Sequence, residues 1–155
     1  MSPYEQPPPR PRAQRKADVL AMLAAETDID LWVASADASG RAHLIPLSYG
    51  WDGATVSVAT PTTSRTALNL IRAGWARLAL GTTRDVVIIE GPVEAIPMGT
   101  DSELEDQHAR SSDFDPREMA EEYIYLRVTP HNIQAWRESA EIEHRQLMRG
   151  GEWLV

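Results

Sequence analysis

The sequence predicts a mainly β, α+β fold: a six- to eight-stranded antiparallel barrel with a few short flanking helices. Short apolar runs recur along most of the chain, each closed by Gly, Pro, Asp or Ser turn chemistry. Few stretches carry apolar residues at helical spacing instead. The 155 residues, 43% hydrophobic and 25% charged, suit one ordinary domain with a real core.

The elements follow in order. Residues 1–12 hold three consecutive prolines and then Arg-Pro-Arg, which reads as a disordered Pro/Arg-rich tail ahead of a single domain over 13–155. Val19, Leu20, Met22 and Leu23 place an amphipathic helix at 13–26. Strands are expected at Leu31–Ala36 and Arg41–Tyr49, the second with Ile45, Leu47 and Tyr49 on one face. The Trp51-Asp52-Gly53 turn leads to a third strand, Ala54–Thr60, with Val56 and Val58 on one side. Pro61 is expected to stop it. Thr62, Thr63 and Ser64 are N-cap candidates for a short helix ending near Gly74. Further strands are expected at Trp75–Leu80, Arg84–Pro97, Tyr123–Thr129 and Ile133–Trp136, with a closing hairpin around Gly150-Gly151.

The formal net charge of −8 is unevenly spread. Residues 1–16 carry +3, 17–99 carry −4, 100–126 carry −7, and 127–155 balance. The acidic stretch 100–126 reads as a solvated helical face or excursion. No basic stretch is large enough for a nucleic-acid footprint. No apolar run reaches the length of a membrane span and no secretory h-region opens the chain, so a cytoplasmic location is expected. With no cysteine, thiolate catalysis and Cys-ligated zinc are excluded.

Nucleotide-binding glycine motifs, a nucleophile elbow and an EF-hand loop are all missing. His43, His108, His131 and His144 show no metal-ligand spacing and read as surface or hydrogen-bonding histidines. No metal site is expected. The stretch that carries chemistry is 43–70: strand, turn, strand, then a hydroxyl-rich turn opening a helix. Free amides at a helix start, joined by Thr62, Thr63, Ser64 and Arg65, suit a phosphate, with ordinary helix capping as the alternative. Pro46 inside a strand marks an edge, whose unpaired backbone can hydrogen-bond a planar ring.

That stretch resembles the flavin and deazaflavin split β-barrel family, the group that includes the pyridoxamine 5′-phosphate oxidases. The opening WVASADASGRAHLIPLSY, the turn-helix ATPTTSRTALNL, the hairpin ALGTTRDVVIIEGPVEAI and the C-terminal IQAWRESAEIEHRQLMRGGEW carry the resemblance, from about Ala17 onward. It implies a homodimer with two cofactor sites at the interface, holding FMN or the deazaflavin coenzyme F420. It further implies ring contacts from His43, Leu44, Ile45, Pro46, Leu47, Ser48, Ala59 and Thr60. The cofactor phosphate falls to Ser64 and Arg65, with Thr66 where the family has a lysine and Asn69 one turn later. Trp136 and Arg145 are implied near the ring from the partner chain, with a core tryptophan as the alternative for Trp136.

Ile142 stands where the oxidases have a substrate-phosphate arginine, and Val86 replaces a ring-contacting glutamine. Pyridoxamine phosphate oxidase activity is therefore not expected. The implied activity is hydride transfer between the bound cofactor and a small conjugated substrate. The alternatives are a non-catalytic flavin- or F420-binding protein and a haem-binding barrel. No catalytic acid or base is assigned, His43 being the nearest proton-donor candidate. Arg10, Arg12, Arg15 and Lys16 are candidate partners for the acidic tail of the deazaflavin.

Overall fold

The computed structural model describes residues 5–25 and 30–155. Helix α1 (Arg12–Leu23) is followed by β1 (Asp30–Ala36), β2 (Ala42–Ser48), β3 (Gly50–Trp51) and β4 (Val56–Pro61). Helix α2 (Arg65–Ala73), β5 (Trp75–Thr82), β6 (Asp85–Pro97) and α3 (Ser102–Ser112) come next. The chain closes with β7 (Tyr123–Val128), β8 (Asn132–Arg137), β9 (Gln146–Arg149) and β10 (Glu152–Trp153).

All the strand pairs are antiparallel. One path runs β10-β9-β8-β6-β5-β1-β2, and β7 joins β6 to β4, which in turn pairs with β3. The sheet thus curls into a barrel that stays split between β2 and β4. Strand β2 ends its path, so one of its edges has no ladder partner. Val33, Val56, Val58, Leu78, Ile89, Leu126 and Val128 fill the interior and are wholly buried.

Each helix is fixed by local chemistry. Ser64 caps α2, its hydroxyl accepting from the Ala67 amide, and Gly74 ends it in the left-handed region at φ 68°. Val19 and Leu23 of α1 face the core, and the Tyr49 hydroxyl donates to the Met22 and Leu23 carbonyls at the helix end. Asp101 caps α3 through the Leu104 amide.

The structure departs from the sequence expectations in several places. It has ten strands rather than six to eight: the short β3 is added, and both arms of the expected C-terminal hairpin are strands of the sheet. Helix α1 begins at Arg12, and Glu26, the expected end, lies outside the described residues. Strand β4 includes Pro61, because its ladder with β7 runs on to the Pro61–Tyr123 pair. It is also buried on both faces, since Ser57 and Ala59 lie under α3 while Val56 and Val58 point inward. The acidic stretch is accordingly not one solvated face. Leu104, Glu105 and His108 of α3 are buried, and Asp106 and Arg110 face solvent.

His108 is the polar anchor of that layer. Its Nδ1 lies 2.7 Å from the Ser57 hydroxyl, and its ring meets Tyr125 edge-on with centroids 5.4 Å apart. Burial depresses its pKa from 6.5 to about 4, against a smaller opposing pull from Asp115. The unfolded chain therefore binds this proton first. The stability held in the neutral ring is intact above pH 6.5 and drains away as pH falls toward 4, by about 3 kcal/mol in all. Urea melts of wild type and His108→Gln at pH 7 and pH 4 measure this. The variant is expected to lose about 3 kcal/mol less than wild type over that interval.

Candidate functional site

The split in the barrel forms a cleft of about 240 Å³ between β2 and β4. Pro46, Leu47 and Ser48 line one wall, and Ala59, Thr60 and Pro61 line the other. Asp30, Phe114 and Tyr123 complete it. The unpaired edge of β2 supplies backbone donors and acceptors, and Pro46 and Leu47 supply apolar surface. Phe114 stands against Tyr123 with ring centroids 5.7 Å apart. The segment after α3 thus walls the cleft from outside the barrel.

A chain of hydroxyls joins this cleft to the start of α2. Thr60 Oγ1 donates to Ser64 Oγ at 2.9 Å, and Ser64 Oγ accepts from the Ala67 amide at 3.1 Å. The amides of Arg65 and Thr66 open the helix and have no intrahelical acceptor. Thr66 Oγ1 is buried without a hydrogen-bond partner, and the exposed Arg65 guanidinium has none among the described residues. Two free amides, a cation and a helix N-terminus at the mouth of a flat cleft fit a phosphate attached to a planar ring. Asn69 is committed elsewhere, donating to the Ser35 hydroxyl at 3.1 Å.

Of the residues expected at the ring, the cleft gathers Pro46, Leu47, Ser48, Ala59 and Thr60. His43, Leu44 and Ile45 continue the same strand beyond it. Leu44 points outward at 59% exposure, while His43 is half-buried opposite Ser35. Asp30, Pro61, Phe114 and Tyr123 were not anticipated. An aromatic pair within the acidic stretch was the available signal for the last two.

Trp136 and Arg145 lie elsewhere. Trp136 is on β8 and Arg145 just before β9, and β6, β5 and β1 separate β8 from β2. Trp136 is half-buried opposite Val86, not a core residue, and the Arg145 guanidinium sits 5.8 Å from its ring centroid. Arg145 also donates to Gln134 Oε1 at 2.9 Å and to the Ile142 carbonyl at 3.0 Å. A second cleft of about 260 Å³ forms here, lined by Gln134, Ile142, His144, Arg145 and Gln146. Neither cleft reaches the roughly 300 Å³ at which small-molecule sites ordinarily begin.

The cations expected to meet a deazaflavin tail are engaged within the chain. Arg10 pairs with Glu141 and Asp18, both at 2.7 Å. Arg12 donates to the Gln146 carbonyl, and Arg15 to the carbonyls of Glu141, Glu143 and His144. Lys16 donates to the Val155 carbonyl and lies over the Trp153 ring. All four side chains turn toward the C-terminal segment.

No family model and no curated protein sequence matches the chain, but solved structures do. An F420 reductase superposes with a TM-score of 0.57 at 15% identity, over 71% of this chain and 92% of its own. A pyridoxamine 5′-phosphate oxidase-related, FMN-binding protein from Nostoc punctiforme gives 0.53 at 16% identity, over 87% and 83%. A heme-binding protein from Mycobacterium smegmatis gives 0.66 at 14% identity, over 92% of this chain but 59% of its own. The fold is an antiparallel α+β split barrel. That barrel is similar to those of the F420 reductase and the pyridoxamine 5′-phosphate oxidase-related protein, and the likeness is one of fold. Among the described residues no helix is long and apolar enough to cross a membrane, and no acidic, His or Cys cluster suits a metal ion.

The helix start gives a direct expectation. Ser64→Ala removes the cap on Ala67 and the acceptor of Thr60, and is expected to cost about 1 kcal/mol in urea unfolding. Arg65→Ala, at an exposed and unpartnered side chain, is expected to change stability by less than about 0.5 kcal/mol.

Proposed function

We propose that this chain is a flavin- or deazaflavin-dependent oxidoreductase that works as a homodimer. The observation that carries the reading is the unpaired edge of β2 facing Ala59 and Thr60, with the open N-terminus of α2 beside it. When bound, the cofactor supplies hydride transfer to or from a small conjugated substrate. The protein's part is to bind, orient and keep water off. The β2 edge hydrogen-bonds the polar rim of the ring, and Pro46, Leu47 and Ala59 press on its apolar surface. Arg65 and the Arg65 and Thr66 amides hold the phosphate. Thr66 in place of a lysine leaves Arg65 as the one side-chain cation in that turn.

Two copies complete the site. The outer face of the sheet carries Trp32 and Leu44, 48% and 59% exposed, beside Pro46. The register sets Trp32 opposite both Pro46 and Ala79, Ala79 opposite Ile88, and Val86 opposite Trp136. An apolar band therefore crosses from the first cleft to the second, with the Arg77–Glu90 pair at its side. A second copy laid on this band brings its Trp136 and Arg145 over the first cleft, and two undersized clefts become one cofactor site. Ile142 stands in the second cleft where the oxidases have a substrate-phosphate arginine, which leaves Arg145 as the arginine lining it and disfavours pyridoxamine phosphate as substrate.

A second reading, a cofactor-binding protein without turnover, has one observation behind it. Among the described residues, Asp30 and Tyr123 are the sole titratable side chains in the first cleft. Reduced cofactor offered a panel of quinones and enones separates the two, since the binding reading requires that nothing be oxidised.

Fluorescence-quenching titrations with FMN and with coenzyme F420 test the binding site. Saturable binding of one of them is expected, weakened about tenfold or more by Arg65→Ala. Absence of binding to either rejects the proposal. Sedimentation is expected to show a dimer that Trp32→Glu converts to monomer, through a charge placed in the apolar band.

A further inference from the structure

Residues 139–145 have an irregular backbone. A single 3₁₀ turn spans Ser139–Glu141, and Glu138 and His144 sit at φ 51° and 59°, in the left-handed region that side chains disfavour. Glu141, at the turn, is buried, with its side chain only 4% exposed. Its carboxylate accepts from the Arg10 amide at 2.8 Å, the Arg10 guanidinium at 2.7 Å and the Arg137 amide at 2.9 Å. Burial alone would raise its pKa; those hydrogen bonds outweigh it and hold the value at about 2.

Arg15, equally buried, points one nitrogen at three carbonyls of this backbone, those of Glu141, Glu143 and His144, at 3.0, 3.4 and 3.3 Å. Its Nε donates to the Arg10 carbonyl at 3.1 Å. Asp18, Asp85 and Arg137 complete the network, which holds three arginines and three carboxylates and is neutral. Gln6 adds contacts to Ser139 and to the Ala140 amide.

We propose that the N-terminal arm is a clasp that positions the second cleft: Arg10 and Arg15 hold 141–145 so that Ile142, His144 and Arg145 stand at it. The paired arginines stabilise a backbone that is otherwise strained, and they do so from outside the cleft, which neither of them lines. They are positioning residues. The meaning of the second cleft as the partner-facing half of a cofactor site rests on the function proposed above, whereas the clasp itself does not.

Two reporters lie in the segment's own contacts. The Ala135 amide donates to the Arg145 carbonyl at 2.9 Å, and the Arg137 amide donates to Glu141. Trp136 carries Arg145 on its ring and gives a near-ultraviolet circular dichroism band, isolated by subtracting the spectrum of Trp136→Phe. In Arg10→Ala, hydrogen exchange at Ala135 and Arg137 is expected to quicken roughly tenfold or more while Val33 and Leu78 keep wild-type rates. The Trp136 band is expected to collapse as well. Arg10→Lys keeps the charge without the two-pronged contact; it is expected to restore most of the protection, and it serves if Arg10→Ala does not fold. Arg84→Ala, which breaks the exposed pair with Glu138 in the same turn, is the control and leaves both signals unchanged.

Unchanged exchange and an unchanged Trp136 band in Arg10→Ala overturn the clasp. Uniform acceleration at Val33, Leu78, Ala135 and Arg137 overturns it too, because Arg10 then serves the whole barrel. Where wild type binds FMN or the deazaflavin, Arg10→Ala is expected to bind it roughly fivefold or more weakly and Arg84→Ala as wild type. If wild type binds neither, the functional proposal fails, and exchange with the Trp136 band still decides the clasp.

Discussion

Strand β6 is shared by both halves of the barrel, and the place where it changes partner admits no side chain. Its first half pairs with β8 and its second with β7, while β5 runs alongside from Asp85 to Pro92. The change falls at Gly91. A Cβ there would overlap the Thr129 carbonyl oxygen, because the link from β7 to β8 crosses directly against this residue. Two backbone bonds clamp the crossing, Thr129 amide to Pro92 carbonyl at 3.2 Å and His131 amide to Glu90 carbonyl at 2.9 Å. Without that close approach the sheet could not fork, and β4 would have no route to the far side of the split. The cleft exists because β4 reaches the barrel through β7 rather than by pairing with β2.

Charge is distributed to match this framework. Part of the acidic excess of 100–126 lies on α3, which keeps one face for the protein, where Leu104 and His108 pack over β4 and β7. Its outer carboxylates meet arginines at the rim, Asp106 with Arg117 and Asp101 near Arg127, pairs that contribute little in water. The Arg10–Glu141 group is different, since both partners are removed from solvent and each polar atom must be matched. The basic arm of the sequence is therefore spent on holding the chain together.

Much of the fold was legible because each element carries its own punctuation. Ser64 and Gly74 bound α2, and alternation in 123–129 marks β7, whose outer face α3 covers at Tyr125. What escaped the sequence depends on contacts made over long separations. Apolar periodicity places Val56 and Val58 inward, but nothing local says that a later helix will bury Ser57 and Ala59 as well. Pro46, Leu47, Ser48, Ala59 and Thr60 were identified through resemblance and do share a cleft, whereas Trp136 and Arg145 belong to another region of the same chain. Asp30 was invisible, since a cleft wall formed by the start of a strand has no motif, and only the nearby aromatic Tyr123 marked Phe114. Glu141 escaped for the opposite reason: in a balanced charged tail, nothing distinguishes the carboxylate that will be buried.

The proline in β2 has a consequence for the molecule's dealings with other chains. An open strand edge invites addition of any extended peptide, and proteins with such edges must defend them. Pro46 stands within this edge and brings no backbone donor, so an incoming strand finds its ladder interrupted where the cleft begins. A flat, compact guest needs only two or three of the remaining polar groups and is not refused. Pro46 therefore weighs against a polypeptide adding to this edge, and it does so without narrowing the cleft.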